Sequence, residues 1–189
     1  MSQCLLIALV LVSSLSLANA QSALQLPTPG PETKLLRNFF PSSETWTGVM
    51  RAGALGSGSK EMPTQGHATC RWILNDLYMT CDIEDTAGTG KAAFTWKGVL
   101  TVGWDFTAKE YRGSMVDNMG QVAWASGKLT APSKLLMTTH ELNDKNSPLR
   151  IRMTWDATDP KIIKYIEEHA TQGGSWMVAE EDSEKPAGK

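Results

Sequence analysis

From Thr45 onward the chain reads as short runs of alternating apolar and polar residues, broken by Gly, Asn, Asp and Pro. About nine such runs fall between Trp46 and Glu180, and no helical period of useful length stands among them. A strand that alternates with period two can hide its apolar side only against other strands. Regular short strands over such a length define a closed antiparallel barrel or a sandwich. The 189 residues suit one domain plus a processed end. With 41% hydrophobic and 20% charged residues the chain can build a core. A net charge of −2 argues against a nucleic-acid binder, which needs concentrated Lys and Arg.

The ends read differently. Residues 1–20 carry an apolar run from Cys4 to Val12 and then Ala18-Asn19-Ala20, the small-x-small pattern of a cleavage point. This predicts a signal peptide cut after Ala20 and a periplasmic or extracellular mature protein. The run is too short for a membrane span, which needs about 20 apolar residues. Residues 21–29 are a Pro-containing flexible lead-in, 30–180 the single barrel domain, and 181–189 a charged stretch read as a disordered tail. Gly30-Pro31-Glu32 followed by Leu35, Leu36, Phe39 and Phe40 predicts a short helix, ended by Pro41. Two turns cannot stand alone in water, so this helix must cap something.

Two hairpins can be read residue by residue. A two-residue turn at Asn75-Asp76, both tolerant of positive φ, sets Leu74 opposite Leu77, Trp72 opposite Met79 and Cys70 opposite Cys81, all on one face with Ile83. Cysteines so paired lie within disulfide reach, and export favours oxidation. The spacing thus predicts a Cys70–Cys81 disulfide. A loop at Phe106–Lys109 sets Trp104 opposite Tyr111, Leu100 opposite Met115 and Gly98 opposite Asp117. Asp117 then ends an apolar face with open space across from it. It either accepts amides of the turn Asn118-Met119-Gly120 or serves a ligand.

Motifs for chemistry are few. Gly88-Thr89-Gly90-Lys91 fails as a phosphate loop, because position 85 is Asp and Ala92 follows the lysine. No Gly-x-Ser-x-Gly elbow occurs. His67, His140 and His169 stand in different elements, with neither His-Glu-x-x-His nor Cys-x-x-Cys, so no metal site and no cofactor is implied. The methionines are scattered; Met79, Met115 and Met153 fall on inner faces, as flexible core filling.

Several landmarks, in order, resemble a bacterial family, the domain of unknown function 1579. They are Pro29-Gly30-Pro31-Glu32 with Leu35-Leu36, Glu44-Thr45-Trp46-Thr47-Gly48, Arg71-Trp72-Ile73-Leu74, Gly103-Trp104-Asp105, Tyr111 and Val116-Asp117. The chain departs from that pattern at Glu44 (a glycine in the family), at Asn75-Asp76 (a Gly-Gly turn) and at Met115 (a tryptophan). The resemblance implies an all-β, up-and-down antiparallel calycin-like barrel of about 8–10 strands, capped at one end by the short N-terminal helix. It implies no established reaction.

On such a barrel Trp72, Trp96, Trp104 and Trp155 point inward. They either fill the core or line a hollow. The leading expectation is an exported barrel holding a small apolar or amphipathic molecule, with Trp72, Met79, Trp96, Trp104, Met115 and Trp155 as walls and Tyr111 and Asp117 as polar contacts. A filled barrel whose outer surface binds an envelope partner is the second. An enzyme with Asp117 and Tyr111 as acid/base groups is the third, without an evident nucleophile or oxyanion group.

Overall fold

In a computed structural model the chain is described over residues 26–140, 142–144, 147–171 and 174–187. The segment expected to be a signal peptide, residues 1–20, lies outside the described residues.

The strands are β1 (Ser43–Met50), β2 (Met62–Ile73), β3 (Tyr78–Ala87), β4 (Phe94–Asp105), β5 (Glu110–Asp117), β6 (Val122–Ala131), β7 (Lys134–Thr139), β8 (Leu142–Asp144), β9 (Ser147–Asp159), β10 (Ile162–Thr171) and β11 (Met177–Pro186). Neighbours pair antiparallel from β1 through β7. The short β8 pairs only with β9, which continues the ring beside β7. Because β10 pairs with both β9 and β11, and β11 with β1, ten strands close an all-β antiparallel barrel. Closure removes the free edges that an open sheet would present.

Both predicted hairpin registers are present. Asn75 and Asp76 adopt φ of 57° and 61°, Cys70 faces Cys81 and Trp72 faces Met79. A disulfide joins the two cysteines, whose Cα atoms are 4.0 Å apart. In the next hairpin Trp104 faces Tyr111 and Gly98 faces Asp117. Two local expectations need correction. Leu74 leaves the inner face: it takes a left-handed φ of 52° and is 67% exposed, because the chain starts turning one residue early. Residues 181–186, expected in a disordered tail, form the second half of β11 and pair with β1 and β10.

The N-terminal segment forms helix α1 (Pro31–Leu35), with Pro31 in its first turn, and then a single 3-10 turn over Leu36–Asn38. It plugs the end of the barrel where the β2–β3 and β4–β5 turns lie. Leu36, Phe39 and Phe40 are buried there, each burial contributing about 1.5–3 kcal/mol. They join Met79, the disulfide, Leu100, Val102, Tyr111, Leu135, Met137, Met153, Trp155 and Ile163 in one packed core. The apolar filling thus sits at the helix end. Toward the opposite end the inward positions of β1, β3, β10 and β11 become largely polar, while those of β6, β7 and β9 stay apolar with Ala123, Met137 and Met153.

Candidate functional site

The residues expected to line a site fall mostly within the packed end. Met79 and Tyr111 are 1% exposed and Trp155 is 6% exposed. The Tyr111 hydroxyl donates to the Glu32 carbonyl of α1 at 3.0 Å, and Trp104 packs edge-on against its ring at 5.1 Å. Burial, and then the charge of Glu32, pushes the Tyr111 phenol up to about 12. Half-buried Trp72 is covered by the Arg37 guanidinium at 4.4 Å. Asp117 is held by its own turn: Oδ1 accepts from the amides of Met119 at 3.0 Å and Gln121 at 2.8 Å. Its Oδ2 accepts from Trp96 Nε1 at 3.0 Å. The space expected across from Asp117 is occupied, since the Trp96 ring lies over Gly98 where a Cβ would collide with it. Met115 is half-buried on β5. Trp155 links the plug to what lies beyond, with Phe40 and Tyr165 each 5.2 Å away, ring to ring.

Beyond Trp155 the interior holds a group of acids. They are Glu44 on β1, Asp85 on β3, Glu167 on β10, and Glu180, Asp182 and Glu184 on β11. Two-residue alternation sends the three acids of β11 inward and Glu181, Ser183 and Lys185 outward. The register sets Glu184 beside Trp46 and Ile163, Asp182 beside Gly48 and Tyr165, and Glu180 beside Glu167. Gly48 is required there, because a Cβ would strike Asp182.

Donors reach only some of these oxygens. Thr64 Oγ1 donates to Asp182 at 2.8 Å and Trp46 Nε1 to Asp85 at 2.8 Å. The Tyr165 hydroxyl donates to Glu167 at 2.7 Å, and His169 Nε2 lies 2.7 Å from the other oxygen of the same carboxylate. Glu44 Oε2, Glu180 Oε1 and Glu184 Oε2 are buried with no partner. Among the described residues, the inward positions of β1, β3, β10 and β11 carry no lysine or arginine. The Lys and Arg ion pairs, such as Lys97–Glu84 and Arg152–Glu168, lie on the outer face or at the turns.

A carboxylate stripped of water without a counter-charge takes up a proton instead. Burial pushes Glu44 up to about 8. Burial, with the charges of Asp182, Glu167 and Asp85, pushes Glu180 up to about 9. Glu184 is raised well above its ordinary range by burial and by Glu44 and Asp182. Asp182 rises to about 6 through burial, against the bond from Thr64. Asp85 is raised by burial against its bond from Trp46. Glu167 is the exception: burial pushes it up, but His169 and the Tyr165 hydroxyl outweigh burial and hold it below its ordinary value.

The acids approach solvent at the end away from α1. Glu167 and His169 face inward yet keep 21% and 22% of their side-chain surface exposed. Glu180, Tyr165 and Trp46 are half-buried. Two concavities of about 530 and 480 Å³ lie instead on the outside of the barrel, along β11–β1–β2–β3 and β2–β5. Threonines, His67 and the paired Lys97 and Glu84 line them, and no unpartnered buried group borders either. The interior acids are therefore the stronger candidate site. Sequence pattern points to none of them: it ends the barrel at Glu180, assigns residues 181–189 to a tail, and marks Glu44 only as a departure from the family pattern. Acids two residues apart at 180, 182 and 184 are the available signal, blurred by Glu181 between the first two.

An antiparallel barrel of ten strands, plugged at one end by an N-terminal helix, is of the small calycin-like class. The family described as protein of unknown function DUF1579 matches residues 28–183, and the chain belongs to it. No curated protein matches the chain.

Proposed function

We propose that the protein is an exported binding barrel that holds a small amphipathic molecule in its interior. The apolar part of the guest would lie against the half-buried rings of Trp46 and Tyr165, and its polar part among the interior acids. The observation that carries this reading is the set of buried carboxyl oxygens without partners, in a barrel whose inward Glu167 and His169 are reached by solvent. A polar group left unmade in a folded interior costs about 1–3 kcal/mol, and a guest that supplies donors offsets that cost. The apolar leader pattern and the Cys70–Cys81 disulfide support export. Native mass spectrometry of the protein purified from its own periplasm or medium, followed by organic extraction, tests the reading. A bound small molecule released on denaturation is expected. A bare polypeptide mass, together with unchanged Trp emission across a panel of amphipathic probes, refutes it.

One observation favours a second reading, in which the outer face docks on another protein. Val99, Val116 and Val122 stand side by side across β4, β5 and β6, 39–54% exposed, with Trp124 at 62% nearby. The acid/base reading has less support, since Tyr111 and Asp117 are already bonded to Glu32 and to turn amides.

A further inference from the structure

We infer that the guest is a small organic cation, an amine or quaternary ammonium with an apolar stem, seated between the neighbouring carboxyl groups of Glu44 and Glu184. This rests on the interior-binding reading above and narrows it.

Charge and hydrogen bonding come first. Glu44 and Glu184 are 5% and 7% exposed, and each presents an unpartnered oxygen to the interior. The groups facing them from neighbouring elements are Glu180 and Asp182 on β11, Asp85 on β3, and Tyr165, Glu167 and His169 on β10. His169 is the sole base among them, and it is already engaged by Glu167. An anion finds no counter-charge here and faces the ionised Glu167. An alkane or alcohol leaves most acceptors unmade. An ammonium group brings positive charge that the Glu44 and Glu184 carboxylates can share, and a primary amine also brings donors.

The aromatic rings then separate an organic cation from a metal ion. Among the described residues, no three His, Cys, Asp or Glu side chains converge in an arrangement able to hold a metal. The acids are interleaved with rings instead. Trp46 lies against Gly66 beside Glu184, and Tyr165 lies beside Asp182 with Trp155 at 5.2 Å. Ring faces attract alkylammonium cations. The half-buried rings of Trp46 and Tyr165 offer an apolar surface for the stem. Seating the cation requires the acids to ionise, so uptake at pH 7 releases protons.

The test uses the oxidised mature protein and three matched probes: hexylammonium, hexanol and hexanoate. Isothermal titration at pH 7 is run in two buffers of different ionisation enthalpy. The expected result is binding of hexylammonium at least tenfold tighter than of hexanol, hexanoate weakest, and net proton release with the amine alone. The Glu44→Gln/Glu184→Gln variant, checked for its fold by Trp emission and a urea transition, should bring the amine's affinity to that of hexanol. Proton release is read on the unaltered protein, so the test stands even if the variant does not fold. Hexanol binding as tightly as the amine, or no proton release, overturns the cation assignment while leaving interior binding in place. Binding of none of the three probes overturns both.

Discussion

Glu44→Gln should stabilise the protein at neutral pH and leave it unchanged near pH 4.5. The folded state holds the Glu44 proton up to about pH 8, whereas an ordinary glutamate gives it up at 4.5. Between those values the native state binds more protons than the unfolded one, so stability is fully present below 4.5 and declines as pH rises to 8. Each pH unit inside that window removes about 1.4 kcal/mol. At pH 7 the loss is on the order of 3 kcal/mol, an upper limit because water reaches the barrel from its polar end. Glutamine has the shape of the neutral acid and no proton to lose, so the variant keeps this amount. Asp182, Glu180 and Glu184 carry the same sign. Glu167 opposes them, since its lowered value contributes stability that disappears on acidification. Urea unfolding followed by Trp emission at pH 4.5, 6, 7 and 8 measures the difference between the two proteins. The gain of the variant should grow with pH at constant m-value. A variant weaker than the parent by the same amount at every pH would show that Glu44 is ionised and paired, and the account of the interior acids would fail.

Other predictions rest on separate parts of the fold. Removing the disulfide as Cys70→Ala/Cys81→Ala should cost roughly 3 kcal/mol in urea unfolding, from the short loop it closes; an unchanged midpoint refutes this. Phe39→Ala empties the fully buried centre of the plug and should cost about 3–5 kcal/mol, whereas a loss below 1 kcal/mol would mean the helix does not seal the barrel. Leu74→Gly should gain about 1 kcal/mol, because Leu74 is exposed and held at a φ that glycine adopts freely; a lower melting temperature contradicts it. N-terminal sequencing of exported protein should begin at Gln21, and retention of Met1 removes the export reading.

How far the fold could be read ahead depended on where a strand's instructions lie. In β2–β3 they are local. Asn75-Asp76 sets the turn, the turn sets the register, and the register delivers Cys70 to Cys81 from a dozen residues. In β4–β5 the same holds, and Gly98 meets Asp117 as read. Within that frame only short-range detail was missed, such as Leu74 turning out to solvent and the Trp96 ring filling the space over Gly98. In β11 the instructions are distant. Glu180, Asp182 and Glu184 alternate with Glu181, Ser183 and Lys185, so a strand period is present, but polar residues on both sides erase the contrast that marks a buried face. What makes this segment a strand is the need of β1 and β10 for a shared neighbour, with pairings such as Trp46–Glu184 that span most of the chain.

A closing strand chosen for packing alone would carry apolar residues inward, as β4 does with Leu100 and Val102. That β11 carries acids inward instead raises the free energy of the folded state, by the same physics that lifts Glu44, Glu180 and Glu184 above the ordinary carboxyl range. Local rules fail in β11 and packing is least favourable there, which is the combination expected of a residue set kept for something other than stability. The helix plug with Phe39, the disulfide and the Tyr111 core supply the stability that allows it. The barrel is thereby divided along its axis, with the end next to α1 holding the fold together and the opposite end holding carboxyl groups that a positively charged guest would satisfy.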